Sequence, residues 1–357
     1  MNAVTNSISS VPRAPVAAPH PTHKFKLLLR REFWEHKGGF LWAPLVAGGI
    51  SLLLTAMAIV VGEVVARRAV ADGKFSGDSL SIDGNNITVN GLDIGQLTSQ
   101  LGPEQLRNLG QGIDISLLMA SSWPFIVLAF VVFFYCLGAL YDERKDRSVL
   151  FWKSLPLSDS QTVLSKVASA LLVAPVLAVG AALATMLGFL LVLSVVVLLH
   201  GGNPFTLVWG PGSPLELAAQ LVAMIPVYAL WALPTAGWLL LCSAWSRSKP
   251  FLWALMVPLF AGIFVSWFDL MQVFDLQSSW FWRNIVGRAL LSVAPGTWID
   301  ATHLQGTHFE GPGQLTSLLS LQSTYSVLLT PQLWIGAVAG AVMIFGAIRL
   351  RRWRDDN

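Results

Sequence analysis

Residues 167–199 read VASALLVAPVLAVGAALATMLGFLLVLSVVVLL, 33 consecutive positions without one ionisable side chain. A helix rises 1.5 Å per residue, so about 20 such residues cross a hydrocarbon core of ~30 Å. A surplus must tilt, kink near Pro175 or project into the headgroups. β-barrel strands would alternate apolar and polar positions over about ten residues. This run does not alternate, so the spacing predicts a membrane helix. Backbone groups find no water in a bilayer, and a helix satisfies them internally.

Working outward, five further stretches have the same character: 40–61, 115–140, a segment within 217–245 broken by Pro226 and Pro234, 251–268 and 328–348. The composition agrees. The 357 residues are 54% hydrophobic and 12% charged, against about 25% charged in soluble domains. The expected fold is an all-α integral membrane protein with six transmembrane helices in residues 40–348. Gly336 and Gly340 have small-xxx-small spacing in the sixth span. That pattern can mark a dimer face, but it also arises often by chance in apolar helices.

Six spans return the chain to its starting side, and the positive-inside rule chooses that side. With both termini in the cytoplasm, 17 of the 23 Lys and Arg face inward. Most of the tryptophans, Trp42, Trp123, Trp245, Trp298 and Trp334 among them, fall near span ends, where interfacial anchoring explains them. Residues 1–22 are rich in Pro, Ala and Ser and lack an apolar signal core, so they read as a disordered cytoplasmic tail. Cys136 and Cys242 lie in apolar spans, which speaks against a disulfide framework. Residues 349–357 form a basic cytoplasmic tail.

Two outer regions interrupt the spans. The polar loop 66–114 alternates Leu80, Ile82, Ile87 and Val89 around Asp83-Gly84-Asn85-Asn86, which predicts a small hairpin. A short helix near Pro103–Leu109 is expected to follow it. The aromatic outer segment 269–327 contains WFWRNIVGRALLSVAPGTW at 280–298. It suits helices that dip into the outer leaflet or lie on it, or else a compact loop with belt aromatics. Asp300, His303, His308 and Glu310 match no specific metal-ligand spacing, so no metal site is assigned.

Ahead of the first span, residues 23–39 begin HKFKLLLRREFWEHK. Phe25, Leu28, Leu29 and Phe33 recur at helical spacing, and Arg30 and Arg31 add charge. This predicts an amphipathic helix at the inner membrane surface with its anionic lipids, or simply a juxtamembrane anchor.

Between the second and third spans, residues 141–166 read YDERKDRSVLFWKSLPLSDSQTVLSK. Alternating acids and bases lead to the apolar patch 149–152. Pro156 then biases Leu155 away from helix, and Ser158 is the candidate N-cap for the helix rising into the third span. By composition a solvated loop is the commoner explanation of such a stretch, with a docking knob as the alternative.

This loop resembles the first cytoplasmic loop of type-2 ABC exporter permeases. The likeness rests on Glu143, Asp146, Arg147, Ser148, on Trp152, Lys153, Ser154, Leu155, Pro156, Leu157, Ser158, and on the Ser165-Lys166 pair before the next span. The resemblance implies a dimer, with a second copy or a homologue, in a bacterial plasma membrane. Each subunit would dock a separate ATPase subunit that binds ATP and Mg. Glu143, Arg147, Trp152, Lys153, Leu155, Pro156 and Ser158, with the amphipathic helix, would form the coupling surface. A path lined by the first, second and fifth spans, with Ser121 and Ser122 as candidates, would carry a lipid-like, peptide or amphiphilic cargo.

The residues add one check of their own. The chain has no G-x-x-x-x-G-K-[ST] phosphate loop; its Gly73-Lys74 is followed by Phe75. The chain is therefore expected to hold no cofactor and not to be the ATPase itself. No catalytic residue and no nucleic-acid partner is assigned. An ion-coupled carrier would place ionisable residues within its spans, which these runs scarcely do. A non-transporting scaffold is the remaining alternative, and no intramembrane hydrolase motif occurs.

Overall fold

The computed structural model describes residues 21–72, 80–82, 85–87, 102–147, 158–272, 277–299 and 320–354. Among these described residues six helices are long and apolar enough to cross a membrane: Gly38–Arg68, Pro103–Lys145, Asp159–Leu199, Pro214–Trp231, Pro250–Leu270 and Pro331–Trp353. Their outer faces expose large apolar side chains, such as Val60, Leu191, Val338 and Phe345, to the surroundings. Apolar faces this extensive are stable against lipid and not against water. The chain is a multi-pass membrane protein.

The first three spans form one block. Gly48 lies against Thr185 and Gly188 against Leu52, so that a side chain at either glycine would collide with the neighbouring span. The Ser51 hydroxyl donates to the Ala120 carbonyl at 2.9 Å. The second half-block joins the fourth and sixth spans. Here Leu233–Trp245 continues Pro214–Trp231 after a break at Ala232. The break sits two residues ahead of Pro234, whose ring and missing N–H disrupt the ladder; Pro226 is accommodated inside the helix.

The sixth span packs along Leu233–Trp245. A Cβ on Gly340 would lie 2.5 Å from the Leu233 carbonyl, and one on Gly237 would lie 2.5 Å from the Gly340 carbonyl. Gly340 thus lets the sixth span cross Leu233–Trp245 closely within one chain, while Gly336 lies against the Arg288 side chain and Pro234.

Several boundaries differ from expectation. The helix foreseen near Pro103–Leu109 is the beginning of one continuous helix, Pro103–Gly138. The third span begins at Asp159 and contains a π-helical turn, Ser169–Val173, directly before Pro175. Its Ala174 N–H bonds to the Ser169 carbonyl five residues back, which makes room ahead of a residue that cannot donate. The small hairpin is present as Leu80–Ile82 paired antiparallel with Asn85–Ile87, with Leu80 opposite Ile87.

The aromatic segment after the fifth span folds back on the fourth and fifth spans as a hairpin. Residues Ser278–Leu291 form its descending limb. Trp282 packs on Gly262 and donates to Ser266 at 2.8 Å. Thr235 donates to the Arg288 carbonyl at 2.7 Å and accepts from the Ser292 N–H at 3.0 Å. Thr235 lies ten residues before the helix end at Trp245, about 15 Å by helical rise. The tip of the hairpin thus packs against the fourth span about 15 Å from that end. The return limb hangs on the fourth span through Tyr228 to the Val293 carbonyl and Trp231 to Thr297, both 3.0 Å. Trp298, expected as an interfacial anchor, is buried in this packing, whereas Trp42, Trp123, Trp245 and Trp334 are exposed.

Candidate functional site

Both ends of the described chain meet on one face, and a buried ionic cluster joins them there. Glu32 of the amphipathic helix Pro21–Glu35 is wholly buried. It accepts from the Tyr135 hydroxyl of the second span at 2.8 Å and from Lys166 Nζ at 3.0 Å. Lys166, at the base of the third span, lies 3.0 Å from Glu143 as well. Glu143 sits in the helical turn Tyr141–Lys145 that follows the second span. Its other oxygen receives Arg351 Nη1 from the end of the sixth span at 2.7 Å, and Arg351 Nε reaches Asp159 at 3.2 Å.

The relative exposures of Glu32, Lys166, Arg351 and Glu143 are 0, 3, 5 and 8%. Charges so deeply buried persist only when paired and hydrogen-bonded, and each of these is. The cluster draws on the amphipathic helix, the second, third and sixth spans, and both described ends of the 141–166 loop. Beside it a cavity of about 490 Å³ is lined by Glu35, Asp142 and Asp146 together with Tyr135 and Lys166, so this recess is acidic.

The loop's two limbs are fixed in different ways. Ser243 Oγ accepts from the Leu140 and Tyr141 N–H groups, at 3.0 and 2.9 Å, and Arg144 donates to the Ser243 and Ser246 carbonyls. The first limb is therefore braced on the fourth span. On the second limb Ser158 is the N-cap foreseen from sequence, accepting from the Gln161 N–H at 3.2 Å.

The sequence-predicted residues fall into three groups. Glu143 is central to the cluster. Arg147 is exposed at the end of the first limb with left-handed backbone (φ 55°), and Ser158 is an exposed cap. Trp152, Lys153, Leu155 and Pro156 lie outside the described residues, as do residues 1–20 and the acidic and histidine positions 300–310. On the amphipathic helix Leu28 is buried, Phe25, Leu29, Arg31 and Phe33 are half-buried, and Arg30 is exposed. Arg31 pairs with Glu35 at 3.1 Å. The helix ends at Glu35 and passes into a π-helical turn, Gly38–Trp42, that opens the first span.

Glu32, Tyr135, Asp159 and Arg351 were not singled out from sequence. One signal was present: Glu32 shares the helical face of Phe25, Leu28 and Leu29, and an acid inside an apolar stripe needs a buried partner. Arg351 stands in the run Arg349-Leu350-Arg351-Arg352 and carries no distinguishing mark.

A second cavity, about 890 Å³, lies between the second and fifth spans and the aromatic hairpin. Phe130, Phe133, Leu255, Leu259, Trp282 and Leu290 are among its walls, and among the described residues no charged side chain lines it. Ser121 and Ser122 do line it, but their hydroxyls donate to the Leu118 and Met119 carbonyls of their own helix, at 3.2 and 2.7 Å. The second and fifth spans flank this space as expected; the first span contributes nothing to it. Among the described residues no group of three or more His, Cys, Asp and Glu side chains is placed to hold a metal ion.

The chain matches no protein family, no curated protein and no solved structure in the comparisons made with each.

Proposed function

We propose that this chain is the membrane-spanning permease subunit of an ATP-driven ABC exporter in a bacterial plasma membrane. It pairs with a second copy or a homologue and docks separate ATPase subunits that bind ATP and Mg. Both termini and the 141–166 loop face the cytoplasm in this reading, as the distribution of Lys and Arg favours. The observation that carries the proposal is the Glu32–Lys166–Glu143–Arg351 cluster. A loop that only joined two spans would not require buried charges on the amphipathic helix and three spans. A loop that receives a mechanical stroke must be anchored to the helices it moves.

The cargo follows from the cavity between the second and fifth spans. A peptide there would bring several amide groups into a site where the hydroxyl donors among the described residues, Ser121 and Ser122, are committed, at a cost of ~1–3 kcal/mol for each group left unpaired. A hydrocarbon tail brings none. The lining therefore favours an amphiphile whose tail occupies the cavity while its headgroup stays near a membrane face.

Purification of the tagged chain in mild detergent, followed by ATP-hydrolysis assays on whatever copurifies, tests the reading. A stoichiometric nucleotide-binding partner with ATPase activity is expected. A chain that purifies alone in several gentle detergents, with no ATPase, overturns the permease assignment in favour of an ion-coupled carrier or a scaffold.

A further inference from the structure

Two of the helices that enter the ionic cluster leave it through π-helical turns. The first span opens with Gly38–Trp42, six residues after Glu32, and Ala43 N–H bonds to the Gly38 carbonyl. The third span contains Ser169–Val173, three residues after Lys166, with the same five-residue hydrogen bond. The first packs against the Ala174–Leu199 helix, and the second touches the amphipathic helix. A π turn is wider and less well bonded than the α-helix on either side, and it is a place where helices bend.

Beyond the turns the two spans are locked, by Gly48 on Thr185 and Gly188 on Leu52. Before the turns, the amphipathic helix and Asp159–Ala168 are also held together, by Glu32 and Lys166 at 3.0 Å. Neighbouring elements have no such turn. The Tyr141–Lys145 limb is braced on Ser243, and the sixth span runs unbroken from Pro331 to Arg354.

We infer that Pro21–Glu35 and Asp159–Ala168 form a two-helix flap that swings as one body about the paired π turns. Tyr135 of the second span packs on Phe40 in the first turn and donates to Glu32 at 2.8 Å. Two further contacts hold the flap closed against the fixed side: Lys166 to Glu143 at 3.0 Å and Asp159 to Arg351 at 3.2 Å. The Glu32–Lys166 pair belongs to the flap, and the Glu143–Arg351 pair belongs to the frame. Ser158, which caps the flap's second helix, is where the loop 148–157 joins it. This deepens the permease reading, since a subunit docked on that loop would pull the flap directly, but the swing itself requires no partner.

The test uses the full chain in lipid nanodiscs with spin labels at exposed positions, the native Cys136 and Cys242 being buried. Labels at Arg30→Cys and Leu164→Cys report the distance within the flap. Labels at Leu164→Cys and Arg352→Cys report flap against frame. The double variant Glu143→Leu/Arg351→Met removes both the Lys166 and the Asp159 latch and leaves the Glu32–Lys166 pair and the Tyr135–Glu32 hydrogen bond intact.

In that variant the flap-to-frame distance distribution is expected to widen roughly twofold while the internal distance stays sharp. Widening of both distances overturns the rigid flap, and no change in either overturns the hinge. Should the double variant not fold, Glu143→Gln alone is read by amide exchange. Faster exchange confined to 169–173, with 176–186 unchanged, supports the hinge; uniform exchange across both stretches overturns it. Because no ATPase is involved, the flap can stand when no partner copurifies, and a partner can copurify when the flap fails.

Discussion

Lys166 and Glu32, 134 residues apart in sequence, place an ammonium and a carboxylate 3.0 Å from each other with both side chains almost wholly buried. Neither charge would be stable there alone. Lys166→Met is expected to destabilise the protein by ~3–5 kcal/mol, because it leaves Glu32 and Glu143 buried with one cation fewer. Glu32→Gln/Lys166→Met should cost less than the sum of its two single changes. Detergent or thermal unfolding of the four proteins, read as a double-mutant cycle, checks this; additive losses would mean that the pair is not coupled.

The crossing of the fourth and sixth spans makes a second prediction. Gly340→Ala forces a methyl group to within 2.5 Å of the Leu233 carbonyl carbon and oxygen, which are backbone atoms and cannot step aside. Overpacking of this kind costs ~1–3 kcal/mol. Gly49→Ala meets nothing within 4 Å and should be neutral or stabilising, by up to ~1 kcal/mol from helix propensity. Unfolding temperatures of the two variants separate the cases. If Gly340→Ala instead left stability intact and changed only the oligomeric mass, the glycine would belong to a dimer face.

On the face opposite the chain ends, Asp114 accepts from both the N–H and the hydroxyl of Ser213, each at 2.8 Å, just ahead of the fourth span. Gly110 completes the contact, since a side chain there would strike the Pro211 carbonyl. Asp114→Ala orphans the Ser213 N–H and is expected to cost ~1–3 kcal/mol. Its signature is local: amide exchange should accelerate at 213–217, while the 141–147 limb keeps its protection. Equal acceleration at both ends would mark global loosening and refute a local lock.

The six spans were legible in the sequence because burial in lipid imposes a coarse rule, about 20 apolar residues without charge. The ionic cluster was far less legible. Its members are contributed by four separate segments, and pairing across 23 to 208 residues leaves no local periodicity to read. Ser158 was foreseen because an N-cap is a local rule. The spacing of Gly336 and Gly340 left their neighbours open, because small residues reveal close approach and not the identity of what approaches. Trp298 was misplaced for a related reason. An aromatic residue near a predicted span end suits the interface, and only the return limb of the hairpin, tied to Trp231 through Thr297, carries it into the core.

The loop makes the prediction on which the functional reading depends most directly. If residues 148–157 dock an ATPase subunit, their apolar members must be desolvated in the complex. Trp152→Asp and Leu155→Asp would then each bury or strand a charge at the centre of that contact, where substitutions typically cost 2 kcal/mol or more, ~30-fold in affinity. Both variants should keep the unfolding temperature of the parent chain, because the cluster at Glu143 and Lys166 lies outside the substituted stretch. Copurification should fall with either change, and ATP hydrolysis should fall with it. A doubly substituted chain that still retains its ATPase partner at full stoichiometry and coupling would remove 148–157 from the docking surface. The ionic cluster would then have to be explained as an anchor for the amphipathic helix alone.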